Sequence, residues 1–208
     1  MKRPTSEPGS DWKDGFLFLG NHLALDFLNT RPVQNGETTE LLRDFKAFLR
    51  WFQAAELLST GAAAKIRQRW ETSSRARQTL ERAWELRERI RKEVFTWEAG
   101  VALHRSTTDE LNRLMTLHPM RTRLKTTRNG VVNERWFDTE QPDELLAPLA
   151  DSAARLFAEV RHDRVRKCRE CVLHFHDTSK KGTRRWCSMQ LCGNRLKVAA
   201  YAARQRNR

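Results

Sequence analysis

The chain has 208 residues, 39% hydrophobic and 31% charged, enough for one moderate globular domain with a small one appended, and no apolar run in it approaches the ~20 residues of a membrane span. Its net charge of +13 is uneven: residues 161–208 hold 14 Lys and Arg against 3 Asp and Glu, giving +11 and leaving +2 for residues 1–160. A polyanionic partner would therefore meet the C-terminal end. No long apolar run follows the basic N-terminal residues, so no secretory leader is expected and a cytoplasmic location is.

In chain order, residues 1–14 mix Pro, Ser, Gly and charge and are expected to form a flexible tail. Apolar content then rises through Phe16, Leu17, Phe18 and Leu19 to Gly20, after which Leu23, Phe27 and Leu28 fit a helix with Asn21 available as its cap. His22, Asp26 and Asn29 interrupt this stretch. They fit either the lining of a small-molecule pocket or hydrogen bonds to nearby backbone, and the second reading is favoured because buried polar groups need partners with or without a ligand.

After a loop over residues 32–39, residues 41–57 place Leu42, Phe45, Leu49 and Phe52 on one helical face. Ser59-Thr60-Gly61 breaks the chain before a shorter helix through Ile66 and Trp70, and Ser73 or Ser74 can cap a long helix reaching about Glu98, with Ala83, Leu86, Ile90 and Val94 as its apolar stripe. The cations of that helix, among them Arg75, Arg77, Arg82, Arg89 and Lys92, are interleaved with Glu81, Glu85, Glu88 and Glu93, which predicts intrahelical pairs on a solvated face. Thr107 to Glu110 matches a capping box for a helix through Leu111, Leu114 and Met115. Asn129-Gly130 between two alternating runs predicts a hairpin whose turn uses positive φ at both residues. A last helix places Leu149, Ala153, Leu156 and Phe157 inward, with Pro148 in its first turn.

The four cysteines, Cys168, Cys171, Cys187 and Cys192, are spaced C-x2-C, fifteen residues, C-x4-C. Two close pairs separated by room for a hairpin can surround one Zn2+ tetrahedrally, whereas a reducing compartment disfavours disulfides. Four sulfurs leave no open coordination position, so the metal would hold structure and activate no nucleophile. His174 and His176 then read as hairpin side chains beside a complete shell. The expected layout is a knuckle at Cys168 and Cys171, a hairpin through Val172, Phe175 and Trp186, and a second knuckle leading from Cys187 into a helix through Leu196, Val198, Ala200 and Tyr201, with Gly193 allowing a tight turn. A core this small needs the metal to fold.

The string Arg185-Trp186-Cys187-Ser188-Met189, followed two residues later by Cys192-Gly193-Asn194-Arg195, resembles the signature of the CGNR zinc-finger family, and GNHLALDFLNT over residues 20–30 is similar to the opening motif of the ABATE domain that precedes this finger. Together the two motifs cover nearly the whole chain. The resemblance implies a stress-induced transcription regulator. One departure is visible: where the family has Asp-x-Ser-Arg, this chain reads Asp177-Thr178-Ser179-Lys180-Lys181, which keeps the charge and loses the bidentate contact of an arginine.

The fold expected is mainly α: an ABATE-like helical domain with one β-hairpin over residues 15–160, then a small α+β treble-clef-like zinc finger over residues 161–208. Lys180, Lys181, Arg184, Arg185, Arg195, Lys197 and Arg204 are the candidate nucleic-acid contacts, with Arg195 equally suited to support the zinc knuckle. A zinc-dependent DNA-binding regulator is the leading expectation, and an RNA- or protein-interaction module using the same basic finger is the alternative. An enzymatic N-terminal domain is not expected, since the sequence has no phosphate-binding glycine loop, no nucleophile elbow and no His and carboxylate set at metal spacing outside the finger.

Overall fold

A computed structural model describes residues 11–34, 37–117, 121–136, 139 and 141–193 of the chain. The tail over residues 1–10 and the expected C-terminal helix through Leu196, Val198, Ala200 and Tyr201 lie outside the described residues. The regular structure of the described residues is mostly helical, and their strands pair into four two-stranded antiparallel hairpins, more than sequence alternation indicates.

The end of the expected tail is structured. Strand β1 (Trp12–Lys13) pairs with β2 (Phe16–Leu17) across Asp14 and Gly15, both at positive φ. Arg50 fixes this turn, donating from Nε to the Asp14 carboxylate at 2.8 Å and from Nη2 to its carbonyl at 2.7 Å.

Helix α1 (Leu23–Leu28) is capped by His22, whose Nδ1 accepts from Ala24 N, while Asn21, expected in that role, takes a left-handed φ of 54°. Gly20 lies so close to the helix that a Cβ there would sit 2.8 Å from that of Leu25. The loop after α1 contains β3 (Val33–Gln34) and β4 (Glu37–Thr38). Helix α2 (Phe45–Ala54) begins later than the apolar pattern suggests, because Asp44 caps it through Ala47 N at 2.6 Å and Leu42 is buried from outside the helix. Helices α3 (Thr60–Trp70) and α4 (Ser74–Trp97) begin at the serine caps Ser59 and Ser73.

Helix α5 (Arg105–Met115) starts earlier than the Thr107 capping box implies. A carboxylate from α4 reaches this end: Glu93 accepts from the N–H of His104, the residue before the helix, at 3.2 Å and from the Thr107 hydroxyl at 2.7 Å. The Thr107 hydroxyl therefore donates to a buried carboxylate instead of opening the helix as its cap. Strands β5 (Arg121–Thr127) and β6 (Gly130–Trp136) form the Asn-Gly hairpin, but Arg128 and Asn129 are the turn residues and only Gly130 has positive φ. A 3-10 turn (Pro142–Leu145) leads into α6 (Leu146–Glu159), leaving Pro148 in the first helical turn, where its missing N–H has no helical acceptor to lose.

The apolar stripe of α4 is wholly buried and shares one core with Leu25, Phe27 and Leu28 of α1, Phe48, Trp51 and Phe52 of α2, and Leu149, Ala153 and Leu156 of α6. Each large side chain so buried contributes about 1.5–3 kcal/mol before chain entropy is subtracted. The cations of α4 divide into two groups. Arg77, Arg89 and Lys92 are exposed as expected, but Arg87 is 1% exposed, pairs with Glu40 and donates to Thr30 Oγ1 at 2.8 Å. Arg91 donates to the carbonyl of Leu28 at 2.7 Å. Helix α4 therefore grips the C-terminal end of α1.

In the finger, β7 (Val165–Lys167) pairs with β8 (His174–His176), so the hairpin spans the first cysteine knuckle. The expected hairpin from Val172 to Trp186 is replaced by this pairing, and the second arm meets the knuckle through Arg169 N donating to Arg185 O at 3.2 Å. Beyond Cys187 the chain makes a π-helical turn (Met189–Gly193). The φ of Gly193 is not positive, so the expected tight turn is not its reason; a Cβ there would come within 2.6 Å of Met189 Sδ, so the flexible Met189 side chain would have to move to admit one.

Candidate metal centre and nucleic-acid interface

The turn between β7 and β8 carries Cys168 and Cys171, and the second arm brings Cys187 and Cys192 to them, so that all four sulfurs lie within 4.8 Å of one another. None is in a disulfide. Cys187 Sγ lies 3.6 Å from Cys192 Sγ and 3.7 Å from Cys171 Sγ. A tetrahedron with Zn–S arms of about 2.3 Å has edges near 3.8 Å, so these separations suit zinc ligands and are far too long for S–S bonds of about 2.05 Å. Three of the four cysteines are buried. Hydrogen bonds from the neighbouring thiols hold Cys168 well below the ordinary thiol range, while sharing its sulfur neighbours and burial push Cys171 up to about 12. Thiolates crowded this closely repel one another, and the donor set fits a divalent, thiophilic cation. Bound there, Zn2+ supplies the cross-link between the two knuckles, with no position left for substrate.

His174 and His176 are strand side chains outside this sulfur cluster. The ring of His174 is fully buried, stacked edge-on against Phe95 at 5.1 Å, and burial next to Arg91 and Lys167 brings its pKa down to about 4.

The loop after β8 is organised by Asp177. Its buried carboxylate accepts from Ser179 N at 3.0 Å and Arg184 N at 2.9 Å, and these bonds, with Arg166 nearby, hold it below the usual carboxylate range despite burial. Gly182 takes a φ of 60° against the Arg164 guanidinium, which donates to Ser179 O at 2.8 Å. The loop folds back over β7 and encloses a basic cleft of about 290 Å³ lined by Arg166, Lys167, Arg169, Arg184 and Arg185, with Gly182 and Thr183.

The structure thus brings Arg184 and Arg185 into one cleft and leaves Lys180 and Lys181 exposed on the loop. Arg195, Lys197 and Arg204 lie outside the described residues. Arg184 is also a structural side chain: it lies 4.5 Å above the Phe175 ring and donates to the carbonyls of Trp186, at 2.8 Å, and Cys187. It supports the knuckle, the role the sequence offered for Arg195. Trp186 packs half-buried against the finger core. Arg166, Lys167 and Arg169 were not among the sequence candidates. Their signal was the basic run around Cys168; strand pairing places Arg166 and Lys167 in the cleft wall, and Arg169 follows in the knuckle.

His22, Asp26 and Asn29 are engaged by backbone, and neither described cleft is lined by them. His22 caps α1, Asp26 Oδ1 accepts from Gly20 N at 2.7 Å, and Asn29 bonds the backbone of His174. Burial raises Asp26 to about 7, against the pull of the Gly20 and Leu19 amides.

Among the described residues no helix is long and apolar enough to cross a membrane. No curated protein gives a significant match. Two family models do match, in the order of the two structural regions: ABATE, "Putative stress-induced transcription regulator", over residues 21–160, and the CGNR zinc finger over residues 164–205. The first spans more than half of the chain, the second contains the four-sulfur site, and the chain accordingly belongs to the ABATE family, with a CGNR zinc finger following that domain.

Proposed function

We propose that this protein is a zinc-dependent, DNA-binding transcription regulator without enzymatic activity, whose finger grips the phosphate backbone in the basic cleft and whose helical domain serves sensing or interaction. The observation that carries this reading is the convergence of Arg166, Lys167, Arg169, Arg184 and Arg185 beside the four-cysteine site. Guanidinium and ammonium groups around a concavity fixed by strand and metal match phosphate oxygens, and such contacts position a protein on a duplex without reading sequence. The net charge of +11 over residues 161–208 extends the attraction beyond the cleft.

The test is duplex DNA binding by the full-length, zinc-loaded protein across a salt series. Each phosphate contact removed reduces the slope of log K against log salt by about one unit. Arg185→Ala is expected to do this with zinc content unchanged, weakening binding to all sequences alike. Arg184→Ala is expected to weaken binding and loosen the finger together, because its guanidinium also holds two knuckle carbonyls. An Arg185→Ala protein that binds every duplex like wild type would overturn the reading. Preference for single-stranded RNA or for an acidic protein would replace DNA with that partner.

A further inference from the structure

One edge of β8 pairs with β7, and the other is occupied by the segment around α1. His174 N donates to Asn29 Oδ1 at 3.0 Å, and Asn29 Nδ2 donates to His174 O at 2.9 Å, so a side-chain amide pairs with the strand as a neighbouring peptide group would. Two residues along, His176 N donates to Gly20 O at 2.7 Å and Asn21 Nδ2 donates to His176 O at 3.0 Å. Every outward-facing peptide group of β8 at these two residues is thereby satisfied from the N-terminal segment.

Apolar packing follows the same route. Leu17 and Leu19 are buried in one cluster with Cys168, Leu173, Phe175, Cys187 and Cys192, and Trp12 packs against it. In the opposite direction, Val165 of β7 is buried in the helical core. Asn29 is itself 0% exposed and held on both sides, since Arg91 binds the Leu28 carbonyl and Arg87 binds the Thr30 hydroxyl.

We propose that the segment from Trp12 to Thr30 is an intramolecular docking site for strand β8, so that the zinc unit is bipartite and the helical domain sets its position. Asn29 is the central positioning residue, with Gly20 and Asn21 completing the clamp. The clamp acts on β8, β8 pairs with β7, and β7 supplies Arg166 and Lys167 to the basic cleft. On the DNA-binding reading, which this last consequence rests on, a ligand or partner that shifts α1 changes the grip on nucleic acid without touching the cleft.

The experiment uses full-length, zinc-loaded protein and two readouts that need no nucleic acid: hydrogen exchange at the His174 and His176 amides, and the rate of zinc transfer to a chromogenic chelator. Asn29→Ala is expected to speed exchange at the His174 amide and zinc transfer at least tenfold, because the N–H and C=O of His174 both lose a buried partner. Asn21→Gly keeps the left-handed backbone and removes only the side chain, and is expected to speed zinc transfer about threefold. Leu114→Ala, a cavity in α5 outside the clamp, is expected to leave both readouts at wild-type values under conditions where all variants stay folded. Wild-type exchange and zinc transfer in a folded Asn29→Ala protein overturns the proposal. If that variant does not fold, wild-type behaviour of Asn21→Gly overturns it instead. Clamp-dependent zinc transfer in a protein that binds no duplex removes the proposed function and supports the clamp.

Discussion

The helical domain and the finger are held together by different physics. The helical core is a continuous apolar body in which α1, α2, α4 and α6 bury Leu, Ile, Phe and Trp side chains against one another. The buried set of the finger is small, three of its members are cysteines, and two others, Leu17 and Leu19, come from the N-terminal segment. Apolar burial stabilises a core in proportion to area, so the first region can stand on packing, whereas the second relies on a metal and on borrowed side chains. The difference is also one of tolerance. A core of many packed residues loses stability in increments when one is truncated, but a four-ligand site loses its function with any one ligand.

The largest effect should therefore come from the metal. Cys187→Ser is expected to reduce zinc from one per chain to nearly none and to unfold β7 and β8, forfeiting a binding free energy that for structural zinc is about 10–16 kcal/mol. Metal analysis with circular dichroism checks this, and most helical signal should survive. Substoichiometric zinc in wild-type protein with intact thiols would break the contrast between the regions.

Ile90→Ala, in the buried stripe of α4, should destabilise the helical domain by about 2–5 kcal/mol in denaturant unfolding while zinc content stays at one per chain. Arg87→Ala sharpens the comparison, because it tests a polar anchor within the apolar region. Losing its bonds to Thr30 and Glu40 should cost about 3 kcal/mol, the low end for breaking a buried pair, since the side chain of Glu40 keeps 29% of its exposure. An Arg87→Ala protein as stable as wild type would show that the Arg87 anchor contributes nothing beyond what Arg91 and the apolar packing already supply.

The smallest effect is a pH dependence at Asp26. Burial raises this carboxyl from an ordinary 3.8 to about 7, so the folded state binds a proton that the unfolded state releases. Stability from this group is full below about pH 4 and is lost as pH rises through 7, where a buried carboxylate must be carried. Asp26→Asn keeps an acceptor for Gly20 N and removes the titration. Its melting temperature relative to wild type should rise between pH 5 and pH 8; parallel curves for the two proteins would show that Asp26 titrates normally.

Local signals in the sequence translated well wherever one residue could satisfy its own neighbourhood. Ser73 caps α4 as its sequence suggests, and Ser59, read only as part of a break whose Thr60 and Gly61 turn out to be helical, caps α3 in the same way, because a serine oxygen reaches an amide three residues on without help from the rest of the fold. The same reasoning failed at Thr107, which lies inside the helix and donates its hydroxyl to the carboxylate of Glu93, fourteen residues earlier. It failed again at Asn21, whose side chain answers a carbonyl 155 residues away. The sequence reading of α4 as a solvated, charge-paired face did not single out Arg87, since nothing local announces that Glu40 and Thr30 will meet it.

The candidate site shows the same division. By itself the sequence determined the metal ligands, because cysteine spacing limits which sulfurs can share an ion, and it determined the sign of the surface around them, because charge is additive along a chain. The tertiary structure decided which cations converge: Arg166 and Lys167 of β7 line one cleft with Arg185, and Arg184 donates to two knuckle carbonyls. It also decided what the GNHLALDFLNT stretch does. A polar residue in an apolar segment must find a partner, but only the folded chain shows that the partner of Asn29 is the backbone of a finger strand, because hydrogen bonds between distant segments depend on orientation and distance rather than on sequence separation.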